Sequence, residues 1–278
     1  MFVLFKDAPE SDQKDAYATA LAVHGNARHI PLLATTDTPR ELETVWASLP
    51  DPCGEVHFLI TSVRAARVVT AALPSLLRLP LSAATRRMVV HVWPLGPATA
   101  APLDLLQLPP AKGRAQVQVH VPPASANVRD AASLAAYFIA NGPHSTVDSN
   151  KNKVPVVFAR GDKALDALPK ALEAAGIPLI TAVVYHTAER ANWMSELAGD
   201  ALDLDTWWVF FSPSGASIVA NAFPDGPPPN VRIASIGETT AAQLRSLART
   251  VHAVAARPTA DALAEAIASA DNNMINEK

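Results

Sequence analysis

"WVFFSPSGAS", residues 208–217, joins an uninterrupted apolar run to Ser212-Pro213-Ser214-Gly215 with no charge in between. The run reads as a strand buried on both faces, because such strands lose the apolar–polar alternation. Serine followed by proline reads as a helix start: the hydroxyl accepts a first-turn N–H, and proline fits the first helical position. A strand that runs straight into a helix is the building unit of parallel α/β sheets.

The same plan recurs in "LITSVRAA" (59–66), "LGPATAA" (95–101) and "IGETTAA" (236–242). Ligands of open parallel sheets bind at the carboxyl ends of the strands. Helix N-termini there present unpaired N–H groups and a partial positive charge. Each junction alone is equally an ordinary helix cap. Four together, two in each half, point to a cleft that grips anionic groups with backbone N–H donors.

Apolar runs and helical patterns alternate along the rest of the chain. Strands are expected at Phe2–Phe5, His29–Leu33, Val56–Thr61, Met88–Trp93, Gln116–His120, Val154–Phe158, Leu179–Tyr185, Trp207–Phe211, Arg232–Ile236 and Val251–Ala255. Leu165, Leu168 and Leu172, and likewise Ala241, Leu244 and Leu247, fall at helix spacing. A first helix is expected from Gln13 to His24, ending at Gly25. Ten strands exceed what one open twisted sheet carries comfortably, so two parallel-sheet domains are expected. The stretch 141–153 reads as a solvated linker, the proline-rich 74–84 as a surface insertion, and the tail "DNNMINEK" as frayed.

Composition narrows the function. A net charge of -3 over 278 residues, without a Lys/Arg cluster, excludes a generally basic nucleic-acid binder. The longest apolar region, 89–108, is broken by Pro94, Pro97 and Pro102 and is not a membrane span. Cys53 is the only cysteine, so no internal disulfide forms and a reducing compartment is expected. "MFVLFKD" is too short an apolar run for a signal peptide, so a cytoplasmic location is expected. GxGxxG and GxxxxGK[ST] are absent, which argues against a nucleotide-using enzyme. His24 and His29 lack a third ligand at sensible spacing, so no metal site is expected. Asp200, Asp203 and Asp205 read as a solvated loop, and Ser214 has no evident base.

Thr61-Ser62-Val63-Arg64-Ala65, Gly96 to Ala100, "FFSPSG" (210–215) and "IGETTA" (236–241) resemble, in order and over nearly the full length, the motifs of the uroporphyrinogen-III synthases. The opening "VLFKDAPESD" and the middle "LPKALEAAGIPL…VVYHT" (168–187) are similar to those of the eukaryotic type. Val63 departs from the family's usual proline, which loosens that turn but keeps its hydroxyls. The resemblance implies two flavodoxin-like parallel-sheet α/β domains joined by a two-strand connection. One comprises residues 1–34 plus 188–278 and the other 38–184, with hinges near 34–38 and 184–190.

It further implies a cofactor-independent, monomeric lyase acting on hydroxymethylbilane, a linear tetrapyrrole with eight carboxylates, with no nucleic-acid or membrane partner. The enzyme would expel the terminal hydroxyl as water and close the macrocycle with the last pyrrole ring inverted. Tyr185 is the expected catalytic residue. Thr61, Ser62, Thr99, Ser212, Ser214, Thr239 and Thr240 are the expected carboxylate-gripping positions, with Arg232 pairing a propionate. The junctions alone would equally suit a non-catalytic two-domain binding protein for small anions.

Overall fold

Thr206–Phe210 forms strand β9, and all five of its residues are buried. Trp207 and Val209 point into one apolar layer, and Trp208 and Phe210 into the other. This is why the opening stretch shows no alternation. The computed structural model describes residues 1–9, 14–49, 54–77, 88–106, 116–143, 154–197 and 206–276. The chain divides into two units, Met1–Ala34 with Ala188–Lys278, and Thr35–Thr187.

In the first unit β9 sits in a five-stranded sheet with β1 (Phe2–Phe5), β2 (Ala27–His29), β10 (Val231–Ser235) and β11 (Ala253–Val254). The order is β11-β10-β9-β1-β2, and every neighbouring pair is parallel. Helices α1 (Ala16–Leu21) and α10 (Ala260–Asn276) cover one face through Leu21, Leu263 and Ile267. Helices α7 (Trp193–Leu197), α8 (Pro213–Ala222) and α9 (Glu238–Ser246) cover the other through Trp193, Val219 and Leu244.

The second unit holds the sheet β3-β8-β7-β4-β5-β6. Its strands are β3 (Leu33–Asp37), β4 (Glu55–Ile60), β5 (Val89–Pro94), β6 (Gln116–Val119), β7 (Val156–Gly161) and β8 (Leu179–Glu189). The pairs β4–β5, β4–β7, β5–β6 and β7–β8 are parallel. Helices α2 (Pro39–Ser48) and α3 (Val63–Leu76), with a 3₁₀ turn at Ala101–Leu106, pack on one face. Helices α5 (Ala131–Asn141) and α6 (Ala167–Ala174) pack on the other. The four-residue α4 (Pro97–Ala100) follows β5. Among the described residues, no helix is long and apolar enough to cross a membrane.

Several boundaries differ from the sequence expectations. The stretch expected as one strand at His29–Leu33 falls between two strands of different sheets, β2 and β3. Pro31 lies between them, and its missing N–H cannot serve a ladder. The first helix is shorter than expected and starts after Asp15, whose carboxylate accepts the N–H groups of Tyr17 at 2.8 Å and Ala18 at 2.9 Å. Strand β8 continues four residues past Tyr185. Helix α3 runs through Pro74, near its last turn, where the missing N–H removes a single intrahelical bond. The tail remains helical to Asn276. Residues 78–84, 144–153, Cys53, Asp200, Asp203 and Asp205 lie outside the described residues.

Counted within the first unit, the strand order is 2-1-3-4-5, so it reverses between β1 and β9. Counting β4 to β8 in the second unit, the order is 3-2-1-4-5 and reverses between β4 and β7. In both, a crevice is expected at the carboxyl ends of those two strands. The segments leaving β9 and β4 are those singled out from the sequence.

Candidate functional site

Each unit sets two helix N-termini side by side, because in each unit two neighbouring strands run directly into helices. In the first unit, Ser212 caps α8 after β9, and Gly237 caps α9 after β10. Ser212 Oγ accepts the Gly215 N–H at 3.1 Å and lies 3.2 Å from Ser214 Oγ. Gln243 Nε2 donates to Ser217 Oγ at 3.1 Å, tying the two helices together. In the second unit, Ser62 caps α3 after β4, accepting the Ala65 N–H at 3.1 Å, and Gly96 caps α4 after β5.

The two glycine caps are informative. Their φ values, -179° at Gly96 and 173° at Gly237, are extended and open to any residue. A Cβ at either position would meet nothing within 4 Å. Neither backbone conformation nor internal packing therefore demands glycine there, and the bare caps leave open space beside first-turn N–H groups.

Tyr185, from β8, joins the second pair. Its hydroxyl lies 3.3 Å from Ser62 Oγ, across 123 residues of sequence. Thr61 is half-buried between β4 and α3, Ser214 and Thr239 are exposed, and Thr99 and Thr240 are buried at 6% and 3% exposure. Ser212 with Ser214, and Ser62 with Tyr185, are thus brought into contact.

Arg232 is not brought to them. It is the second residue of β10, at the end of the strand away from Gly237, and its guanidinium pairs with Asp271 of α10. The same group lies 4.7 Å from the Trp207 ring centroid. Position along the strand, invisible in composition, removes this arginine from the carboxyl ends of the strands.

A second cluster escaped sequence reasoning because strand pairing assembles it. His57 of β4 and His91 of β5 are register partners. Their rings stack with centroids 4.5 Å apart at 9°, and His120 stacks on Trp93 at 4.3 Å. Trp93 Nε1 donates to His57 Nδ1 at 3.0 Å, and His91 Nδ1 meets His120 Nε2 at 2.8 Å. Glu55, His57 and His91 have the composition of a metal site, with ligand atoms within 4.8 Å of one another. Their geometry does not fit one. A metal lies in the plane of each imidazole it binds, and two stacked parallel rings share no such point. Donation by Trp93 also leaves the proton of a neutral His57 on Nε2, the atom facing Glu55 at 3.7 Å.

The cluster has a pH consequence. Burial holds His91 and His120 below the usual histidine value; Glu55 partly opposes this for His91, and charge on His91 reinforces it for His120. The unfolded chain, titrating near 6.5, then binds more protons than the folded chain below that pH. This stability contribution is complete above about pH 6.5 and is lost as pH falls below it. The urea midpoint should fall between pH 7 and 5, a window above most carboxylate titration, and His120→Gln should flatten the fall. A midpoint flat across that window would refute the assignment.

Comparison with known proteins agrees with this architecture. No curated protein matches the chain. A crystal structure of a mutant uroporphyrinogen III synthase from Thermus thermophilus superimposes with a TM-score of 0.50 at 16% identity, covering 98% of this chain and 99% of that one. The synthetase of Helicobacter pylori gives 0.49 at 18% identity, covering 96% and 98%. At 16% identity the likeness to the Thermus thermophilus structure concerns the fold alone, a mixed α/β architecture of parallel sheets. The family model for uroporphyrinogen-III synthase HemD matches residues 15–265, which include all four strand–helix junctions and Tyr185. The chain belongs to the uroporphyrinogen-III synthase HemD family, the cofactor-independent cyclising lyases of tetrapyrrole biosynthesis.

Proposed function

We propose that this chain converts hydroxymethylbilane to uroporphyrinogen III, gripping the substrate's carboxylates at the paired helix N-termini and assisting loss of its hydroxyl with Tyr185. The observation that carries the reading is the pairing itself: in each unit a serine-capped and a glycine-capped helix start on adjacent strands. Backbone N–H donors suit a polyanion, since they are ordered before the substrate arrives and carry no titrating group. Holding several carboxylates fixes the shape of a flexible linear molecule, a proximity and orientation effect.

The reaction breaks the C–O bond of the terminal hydroxymethyl group and joins its carbon to the already linked α-carbon of the last pyrrole. The methylene link at that carbon breaks and re-forms at the pyrrole's free α-carbon, which inverts the ring, and the proton released there matches the one that leaves with the hydroxyl as water. Ser62 Oγ already accepts the Ala65 N–H, and the Tyr185 hydroxyl lies beside it. Tyr185 and Ser62 thereby form a donor pair for the departing hydroxyl. Thr61, Thr99, Ser212, Ser214, Thr239 and Thr240 belong to the gripping turns, the buried Thr99 and Thr240 through their backbone. Arg232 drops out, being engaged by Asp271.

The finer expectations join this reading: two flavodoxin-like domains on a two-strand connection, a cytoplasmic monomer, and the eukaryotic type. The 2-1-3-4-5 strand order supports the first for one unit; the other carries the related 3-2-1-4-5 order. The opening "VLFKDAPESD" supports the last.

The test is turnover of freshly generated hydroxymethylbilane, with oxidised products separated into isomers I and III. Predominant isomer III supports the reading, and isomer I alone, at the uncatalysed rate from folded protein, overturns it. In the same assay Gly237→Asp separates grip from capping. Aspartate is a good cap and favours a helix N-terminus, so stability should hold or rise by about 0.3–1 kcal/mol. Its charge should repel an incoming carboxylate and raise KM about tenfold, or ~1.4 kcal/mol. An unchanged KM would leave Gly237 as a cap only.

A further inference from the structure

Strand β8 points Ile180, Ala182 and Val184 toward the layer that contains α3, as period two requires. The next residue, Tyr185, should then face the opposite layer, yet it packs in this same one. The cause is a register shift against β7: Arg160 pairs with Val183, but Gly161 pairs with Tyr185, leaving Val184 as an extra residue. The carbonyl of Val184 accepts the Thr38 N–H at 2.8 Å.

The flipped ring then needs space, and position 161 provides it. A Cβ there would lie 2.4 Å from Tyr185 Cζ and 2.7 Å from its hydroxyl oxygen, about 1 Å inside the 3.4 Å at which ordinary contact begins. The φ of Gly161 is not in the left-handed region. Close approach of the ring is therefore the reason for glycine. Asp162 holds the strand at and just after Tyr185: its N–H donates to the Tyr185 carbonyl at 3.1 Å, and its Oδ1 accepts the Thr187 N–H at 3.0 Å. Its Oδ2 also lies 3.6 Å from His186 Nδ1; a carboxylate at a site for carboxylates does not serve the grip, and the bonds to the Tyr185 carbonyl and the Thr187 N–H give it a positional use.

We propose that Gly161, Asp162 and the bulge at Val184 form a positioning device that sets the Tyr185 phenol against Ser62. The proposal rests on the role given to Tyr185 above. None of these residues need touch substrate; they act through the ring.

Gly161→Ala should lower kcat roughly 10²-fold, the scale of a 1 Å misplacement, with KM little changed. In a Tyr185→Ala background, where no ring is left to displace, the same change should lower kcat no further. Asp162→Asn, which keeps the accepting oxygen, should retain most of the kcat that Asp162→Ala loses. All variants are assayed well below their melting temperatures, so a merely structural role would move Tm and leave kcat. Unchanged kcat in Gly161→Ala, while Tyr185→Phe is impaired, overturns the device and spares the role of Tyr185. Loss of kcat by Gly161→Ala that is as large in the Tyr185→Ala background also overturns it. Tyr185→Phe with full kcat removes the underlying role and the device with it.

Discussion

Tyr185→Phe should lower kcat by about 10²-fold or more while leaving the fold intact, the range expected when a positioned proton or hydrogen-bond donor is lost. The substitution removes only the hydroxyl that lies 3.3 Å from Ser62 Oγ. The ring, seated over Gly161 and packed on the layer containing α3, remains. By contrast, Ser212→Ala or Thr239→Ala removes one hydroxyl among several donors. A single hydrogen bond is worth about 0.5–1.5 kcal/mol, so each should cost up to about tenfold. The contrast between one large and several small effects is the signature of a donor set within a distributed grip. Full turnover by Tyr185→Phe, measured as isomer III formed per enzyme, would return this tyrosine to a packing role.

Trp93→Ala should destabilise the second unit by about 3–5 kcal/mol, the usual range for removing a large buried aromatic. That is a large share of the ~5–15 kcal/mol that holds a domain together. Trp93 is 5% exposed, stacks on His120, and meets Phe138 edge-on at 5.2 Å and 84°. Its indole N–H is also the donor to His57 Nδ1, so truncation removes a buried hydrogen bond. Trp93→Phe, which keeps most of the apolar contact, should cost about 1–3 kcal/mol through that lost bond. Hydrogen exchange at the β4 and β5 amides reports this unit separately, avoiding the assumption that a two-unit chain unfolds in one step. Protection unchanged in Trp93→Ala would show that the imidazole–indole stack contributes little.

Sequence alone determined the architecture wherever local physics dominates. The apolar run 207–211 had to be a strand covered on both faces, and Ser212-Pro213 had to begin a helix, because capping and proline geometry act within a few residues. The four junctions were legible for the same reason, and their order along the chain carried the resemblance to the family. Tertiary structure decided what depends on registry between distant segments. Pro31 separates two strands that the apolar run 29–33 appeared to join, and sheet membership, a long-range choice, assigns them to different sheets. His57, His91 and His120 look scattered along the chain, yet pairing of β4, β5 and β6 stacks them. Arg232 looked available until its place at the start of β10 gave it to Asp271. Tyr185 was nameable from the sequence, but its face was not. Period two assigns it to the wrong side, and only one extra residue in the β7–β8 register, with glycine opposite, turns it toward Ser62.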